Sequence, residues 1–155
     1  MEIRPAIAAD AEAASALLRQ SIRELCVADH GHDPAILDRW LANKTPEQFR
    51  AWLKSPGLHV LVAAEGEARL AVGSVSSEGR IGLNYVAPAA RFRGVSKAML
   101  AALEDQARRA GATRCTLEST VTAQRFYRAA GYVETGPTIS QFGTASIPMA
   151  RALAG

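Results

Sequence analysis

The alternation of apolar and polar positions changes period near residue 58. Before that point the spacing is helical. Residues 2–4 read as a short first strand, and from Ala11 to Ala28 the residues Leu17, Leu18, Ile22, Leu25 and Cys26 share one face. Arg19, Arg23 and Glu24 fall largely off that face, as in an amphipathic helix. HGHD (30–33) interrupts, and Pro34 is suited to the first turn of a second helix running through Leu37 and Trp40. Thr45-Pro46-Glu47-Gln48 has the form of a capping box, which predicts a third helix over 46–54 that Ser55-Pro56-Gly57 ends.

Beyond residue 58 the runs shorten. HVLVAAE (59–65), RLAVGSVS (69–76) and RIGLNYV (80–86) are apolar stretches separated by charged or glycine-containing turns, the pattern of a strand meander. A long helix over 95–110 follows, with Val95, Ala98, Met99, Ala102, Leu103 and Ala107 on one stripe and Gly111 as its stop. A strand at 114–119, a helix at 122–130 closed by Gly131, a strand from Tyr132 and a last strand near 144–151 complete the chain. In the helix at 122–130, Phe126 and Ala130 lie four apart and are expected to face inward, with Tyr127 at the margin of the buried face. The order predicts an α/β fold in one domain over 1–155, a mixed sheet with helices on both faces.

Composition narrows the function. At 155 residues and 48% hydrophobic content the chain can bury one sizeable core. The net charge of +3 is mild and its lysines and arginines are interleaved with acids, as in SIRELC and ALEDQARRAG. A nucleic-acid partner calls for a concentrated basic stripe, so none is expected. Cys26 and Cys115 sit apart among apolar neighbours, which predicts buried thiols rather than a disulfide or a metal site. MEIRPAIAAD lacks the apolar core of a signal peptide, and LHVLVAA is too short to span a bilayer. A cytoplasmic protein without a membrane partner is expected.

The chemistry concentrates in ARFRGVSKAML (90–100). A turn before a helix leaves amides without internal partners at the positive end of the dipole, and glycine lets the main chain approach an anion. Arg91 and Arg93 add charge and Ser96 a hydroxyl. The same residues could equally form an ordinary basic surface turn. The stretch is neither GxxxxGK[ST] nor GxGxxG, which disfavours nucleotide hydrolysis and nicotinamide chemistry. A second block, TVTAQRFYRAAGY (120–132), follows about thirty residues later.

Together these blocks resemble the GCN5-related N-acetyltransferase (GNAT) superfamily. Arg91-Phe92-Arg93-Gly94-Val95-Ser96 is similar to its Q/R-x-x-G-x-G/A signature, NYVAP (84–88) to its strand exit, and AQRFYRAAGY to its second conserved block. Two positions depart: Ser96 stands where glycine or alanine is usual, and Thr120 where many members have asparagine.

The resemblance implies a central, mostly antiparallel sheet that carries a bulge in the strand at 80–87 and splays open beside the next. It implies acetyl-CoA as co-substrate and no metal. The pantetheine arm would pair with backbone near Tyr85 and Val86, and the diphosphate would rest on Arg91, Phe92, Arg93, Gly94, Val95, Ser96 and Lys97. Thr120 and Phe126 would complete the donor site. A neutral primary amine would attack the thioester directly, with the Val86 region polarising its oxygen and Tyr127 as acid for the departing thiolate. The reference pKa values, about 10 for tyrosine and about 8.5 for a thiol, suit that pairing.

Other roles stay open. Glu118 is either a general base or an ion-pair partner, and His30, His32 and Asp33 either wall the acceptor site or form a surface loop. Trp40 and Trp52 are core or pocket lining, and Asn84 faces the acceptor or the sheet. The acceptor, a small molecule or a peptide amine, has no readable motif. SIPMARAL leaves a homodimer edge possible, and a non-catalytic acyl-CoA-binding module is the alternative function.

Overall fold

Residues 1–154 of the computed structural model are described. The first region folds as β1 (Glu2–Pro5), α1 (Ala11–Leu25), α2 (Val27–His30), α3 (Pro34–Leu41) and α4 (Pro46–Leu53). Then come β2 (Leu58–Glu65), β3 (Ala68–Ser76), β4 (Ile81–Val86) and α5 (Val95–Arg109). The chain continues as β5 (Arg114–Ser119), α6 (Gln124–Ala129), β6 (Val133–Glu134), β7 (Ile139–Gln141) and β8 (Thr144–Ala152).

Two elements differ from the sequence reading. The helix expected over 11–28 breaks at Cys26, whose φ of −100° and ψ of 29° leave the helical region. At the break the His30 ring donates to the carbonyls of Ile22 and Arg23, at 2.9 and 3.1 Å, and the Ile22 carbonyl also accepts the Cys26 N–H at 3.2 Å. The last strand is one arm of a hairpin, because β7 pairs with the start of β8. Its two turn residues, Phe142 and Gly143, both have positive φ (57° and 87°), the geometry of a tight hairpin. Phenylalanine is a poor advertisement for that conformation, which is why the spacing concealed it.

The strands form two antiparallel sheets, β1-β2-β3-β4 and β5-β8-β6, with β7 on β8. β2 and β3 are buried on both faces. Leu61, Ala63, Ala71 and Val75 pack with Met99 and Leu103 of α5. The alternate residues Val60, Val62 and Val72 pack with Leu18 of α1 and Phe49 of α4. A helical layer therefore covers each face.

Among the described residues one backbone bridge joins the sheets, a parallel pairing of Arg80 with Thr116. There the Thr116 N–H donates to the Gly79 carbonyl at 2.9 Å. A Cβ on Gly79, whose φ is 93°, would lie 2.1 Å from the Arg114 carbonyl oxygen, so only glycine permits so close an approach. Past this joint β4 and β5 diverge. β4 is further bent by a bulge: Ser74 pairs with Leu83 but Val75 pairs with Ile81, leaving Gly82 as the extra residue.

A buried polar network fixes the base of α1. Asp10, 0% exposed, receives two hydrogen bonds from Arg4 at 2.9 Å and two from Arg69 at 2.9 and 3.0 Å. It also accepts from the Ile7 N–H at 2.8 Å. The Arg4 bond above all holds its carboxyl well below the usual range, against the opposing effect of burial. Among the described residues no helix is long and apolar enough to cross a membrane.

Candidate active site

The divergence of β4 from β5 opens a cleft of about 380 Å³ between β4, the start of α5 and the β5–α6 turn. After β4 the chain makes a short turn over Pro88–Ala90 and then enters α5 through two left-handed residues, Phe92 (φ 62°) and Gly94 (φ 76°). The first helical hydrogen bond is Ala98 N–H to Gly94 C=O at 3.1 Å. The amides of Val95, Ser96 and Lys97 thus have no helical acceptor and sit at the positive end of a fifteen-residue helix.

Most of the sequence-selected residues come together here. Tyr85 and Val86 line the cleft from β4, and Arg91, Phe92, Gly94, Val95, Ser96 and Lys97 from the turn and α5. Thr120, Phe126 and Tyr127 line the opposite wall. Arg93 does not line it. Its guanidinium lies 3.2 Å from both carboxylate oxygens of Glu65, so the two arginines of the turn have different surroundings. Arg91 instead sits over the Phe92 ring, 4.6 Å from its centroid. Phe92 itself is 93% exposed.

β4 presents an unpaired edge along the cleft. The Ala87 N–H donates to Leu70 on the β3 side at 2.8 Å. Alternation along an antiparallel strand then turns the Val86 N–H and C=O toward the open edge.

The β5–α6 turn is held by Thr120 and by a residue that sequence reasoning passed over. The Thr120 hydroxyl accepts from the Ala123 N–H at 3.1 Å, leaving its own proton available. Asp29 of α2 accepts from the Val121 N–H at 2.7 Å and the Thr122 N–H at 3.2 Å, and from the Thr122 hydroxyl. No local signal marks Asp29, because its partners lie more than ninety positions away.

Tyr127 is the one buried residue of α6, not a marginal one, while Phe126 is only partly buried. The Asn84 side-chain amide donates to the Tyr127 hydroxyl oxygen at 3.2 Å. Burial pushes the phenol up to about 12, and the Asn84 bond opposes that rise. The Asn84 Oδ1 is buried without a partner. Cys26 also lines the cleft, but burial and, secondarily, Asp29 push its thiol up to about 12. A thiol so protonated is no acyl-accepting nucleophile at neutral pH.

Two further cavities continue the cleft. A small one of about 50 Å³ is lined by Asn84, Tyr127, Glu118 and Thr120 among others. A polar one of about 240 Å³ extends between β4, β5, the α3–α4 connection and the β7–β8 hairpin. Tyr85 and Thr120 line all three. Glu118 lines the second and third and pairs with Arg80 at 3.3 Å. Trp40 is 4% exposed, lines the polar cavity and stacks on Phe142. Trp52 lines the same cavity and meets Phe49 edge to face.

The HGHD segment lines none of these cavities. His30 is 1% exposed, so it is not a surface-loop residue. Its Nε2 donates to the α1 carbonyls and its Nδ1 accepts from the His32 N–H at 2.9 Å. Asp33 caps α3 by accepting from the Ala35 and Ile36 amides at 2.9 and 3.4 Å.

The architecture is shared with known structures. The GCN5-related N-acetyltransferase described as "Aminotransferase, Class-II" from Rhodopseudomonas palustris superposes with a TM-score of 0.86 at 27% identity, over 98% of this chain and 95% of that one. PaiA N-acetyltransferase from Thermoplasma acidophilum, solved with coenzyme A, gives 0.81 at 16% identity over 97% and 98%. YncA from Salmonella typhimurium, solved with its cofactor acetyl-CoA, gives 0.75 at 21% identity over 100% and 95%. No curated protein matches the sequence. The family model for the acetyltransferase (GNAT) domain matches residues 13–153, and the chain belongs to that family of acetyltransferases.

Proposed function

We propose that the protein transfers an acetyl group from acetyl-CoA to a primary amine by direct attack on the thioester. The observation that carries this reading is the row of three cavities along the splay, which share Tyr85 and Thr120, with Tyr127 and Glu118 together lining the small one between the other two. The donor cleft suits an acyl-CoA chemically. Unpaired amides at Val95, Ser96 and Lys97 favour a diphosphate, the free edge of β4 can take an amide-bearing arm as an added strand, and Arg91 and Lys97 supply charge. When bound, acetyl-CoA supplies the activated acyl group.

The chain's own groups have distinct tasks in this reading. Val86 offers its N–H to the thioester oxygen, where negative charge builds. Tyr127 offers a hydroxyl proton to the departing sulfur. A phenol at about 12 lies above a thiol near 8.5, so complete proton transfer is uphill by roughly 5 kcal/mol. Tyr127 therefore acts mainly by donating a hydrogen bond to the developing thiolate. Asn84, donating to the phenolic oxygen, positions the ring and eases the charge left there. Glu118 is the one carboxylate lining the polar and central cavities and takes the proton released by the amine, its position fixed by Arg80.

The test is a panel of amines assayed for release of free CoA from acetyl-CoA, beside direct titration of acetyl-CoA. Turnover with at least one amine is expected. Tight acetyl-CoA binding with no CoA release from any amine would leave a non-catalytic acyl-CoA-binding module instead.

A further inference from the structure

The polar cavity holds a charge that the reaction above does not use. Its charged lining residues are Lys44, Arg80 and Glu118. Arg80 and Glu118 pair with each other at 3.3 Å, so Lys44 is left in excess. Lys44 lies between α3 and α4 and is only 5% exposed. Its Nζ donates to the Asn43 side-chain oxygen at 2.6 Å and to the Trp40 carbonyl at 3.3 Å. The Phe142 ring centroid is 5.9 Å away. An ammonium has three N–H donors, and among the described residues only two find an acceptor. Among the described residues no carboxylate pairs with it.

An unpaired buried cation is costly, by several kcal/mol per ion. Burial pushes the Lys44 amine down to about 8, the response expected of an ammonium that lacks a counter-ion. The Trp40 carbonyl, in the last turn of α3, offsets only part of this cost, as a helix C-terminus carries a fractional charge. What would complete the site is an anion. Ser74, Gln141, Thr144 and Ser146 supply hydroxyl and amide groups around the same space.

The sign of this charge sorts acceptors. An amine arrives from water as an ammonium, and a polycation entering a cavity with an excess positive charge meets repulsion that low dielectric amplifies. An amine that also carries a carboxylate brings the missing counter-ion with it. The volume of about 240 Å³ is below the usual range of ~300–1,000 Å³ for drug-sized ligands, which suits a molecule of amino-acid size.

We propose that the acceptor is a small amine bearing a carboxylate, an amino-acid-like zwitterion whose carboxylate pairs with Lys44 while its amine points toward Glu118 and the central cavity. This rests on the reading of the polar cavity as the acceptor side of an acetyltransferase.

The experiment uses CoA-loaded protein and matched probes: the common L-amino acids, the α-carboxamides of the same compounds, a linear triamine and an aminosugar. Binding is measured by calorimetry and turnover by CoA release from acetyl-CoA. The best ligand is expected to be a free acid that outranks its own amide by about 30-fold or more, the scale of a buried charge pair. In Lys44→Met that preference should fall to within a few fold, and Lys44→Arg should keep part of it. Unchanged CoA affinity shows that each variant is folded. Should Lys44→Met fail to fold, the acid-to-amide ratio of the wild type decides alone. Amides, triamine or aminosugar binding as well as the acids overturns the proposal, as does the absence of binding by every acid. Acid-selective binding without CoA release overturns the acetyl-transfer reading, and with it the role of these ligands as acceptors, and leaves only the pairing of a carboxylate with Lys44. CoA release with the triamine but with no acid overturns this proposal and leaves the acetyl-transfer reading standing.

Discussion

The donor cleft and the polar cavity are built by opposite strategies. The cleft draws mostly on two short continuous blocks, β4 through the start of α5 and the turn into α6, with the end of α1 closing one side, and it offers an anion main-chain amides. The polar cavity gathers side chains from α3, α4, β3, β4, β5, the β7–β8 hairpin and their connections. Main-chain recognition tolerates changes of side chain, whereas a side-chain cavity changes its ligand with each substitution. One domain can thus keep a fixed donor site and vary its acceptor.

The largest expected effect comes from a residue that belongs to neither cavity. Asp10→Ala leaves two partly buried arginines without their carboxylate and should cost about 3 kcal/mol in urea denaturation, lowering both functions together. The folded carboxyl is held below its unfolded value, so its contribution is present above the ordinary carboxylate range and fades as pH falls through it. A variant that lost only one cavity's function would break the idea that Asp10 supports the common frame.

Tyr127→Phe acts at the junction. It should lower kcat by about 100-fold, the scale of losing one hydrogen-bond donor to a developing anion, while acetyl-CoA affinity stays within about twofold, a split visible by pairing turnover with calorimetry. Full wild-type turnover would remove the hydroxyl from the reaction.

A pH series separates the halves differently. Lys44 titrates near 8 when folded and near its ordinary value of 10.5 when unfolded. Between those values only the unfolded chain holds the proton, so stability should rise with pH by up to about 3 kcal/mol across that window. The rise is measured as the difference between wild type and Lys44→Met; a flat difference means the ammonium already has a counter-charge.

The smallest effect is expected from Asp29→Ala. Loss of its bonds to Val121 and Thr122 should loosen the β5–α6 turn by about 1–2 kcal/mol and weaken acetyl-CoA binding roughly tenfold or less. Weaker amine binding with unaltered acetyl-CoA binding would assign the turn to the acceptor half.

Legibility from sequence follows the same division. The strand meander, α5 and the Arg91–Ser96 turn were visible because their signals are local: short apolar runs, a helical stripe, a glycine before a helix start. The family resemblance rested on those local blocks too. Long-range pairings carry no such mark. That Arg93 faces Glu65 while Arg91 lines the cleft depends on the left-handed Phe92 between them, which no composition rule anticipates. Tyr127 was expected at the edge of its helix from α6 alone. Its burial comes from the packing of Tyr132 and of Asn84 on a different sheet. Nothing local marks Lys44 either, since its surroundings come from α3, α4 and the hairpin closing around it.

The joint at Gly79 has a mechanical consequence. Two sheets riveted by one bridge behave like a pair of tweezers, since no ladder of hydrogen bonds spans the rest of the gap. A change in the angle between the sheets would therefore break no strand ladder, but it would shear the core that both share beneath α5. From Arg80 to Val86 the arm runs six residues, about 20 Å at strand spacing, so a few degrees at the pivot move its tip by about 1 Å. The missing side chain at 79 is what lets the rivet be driven flush.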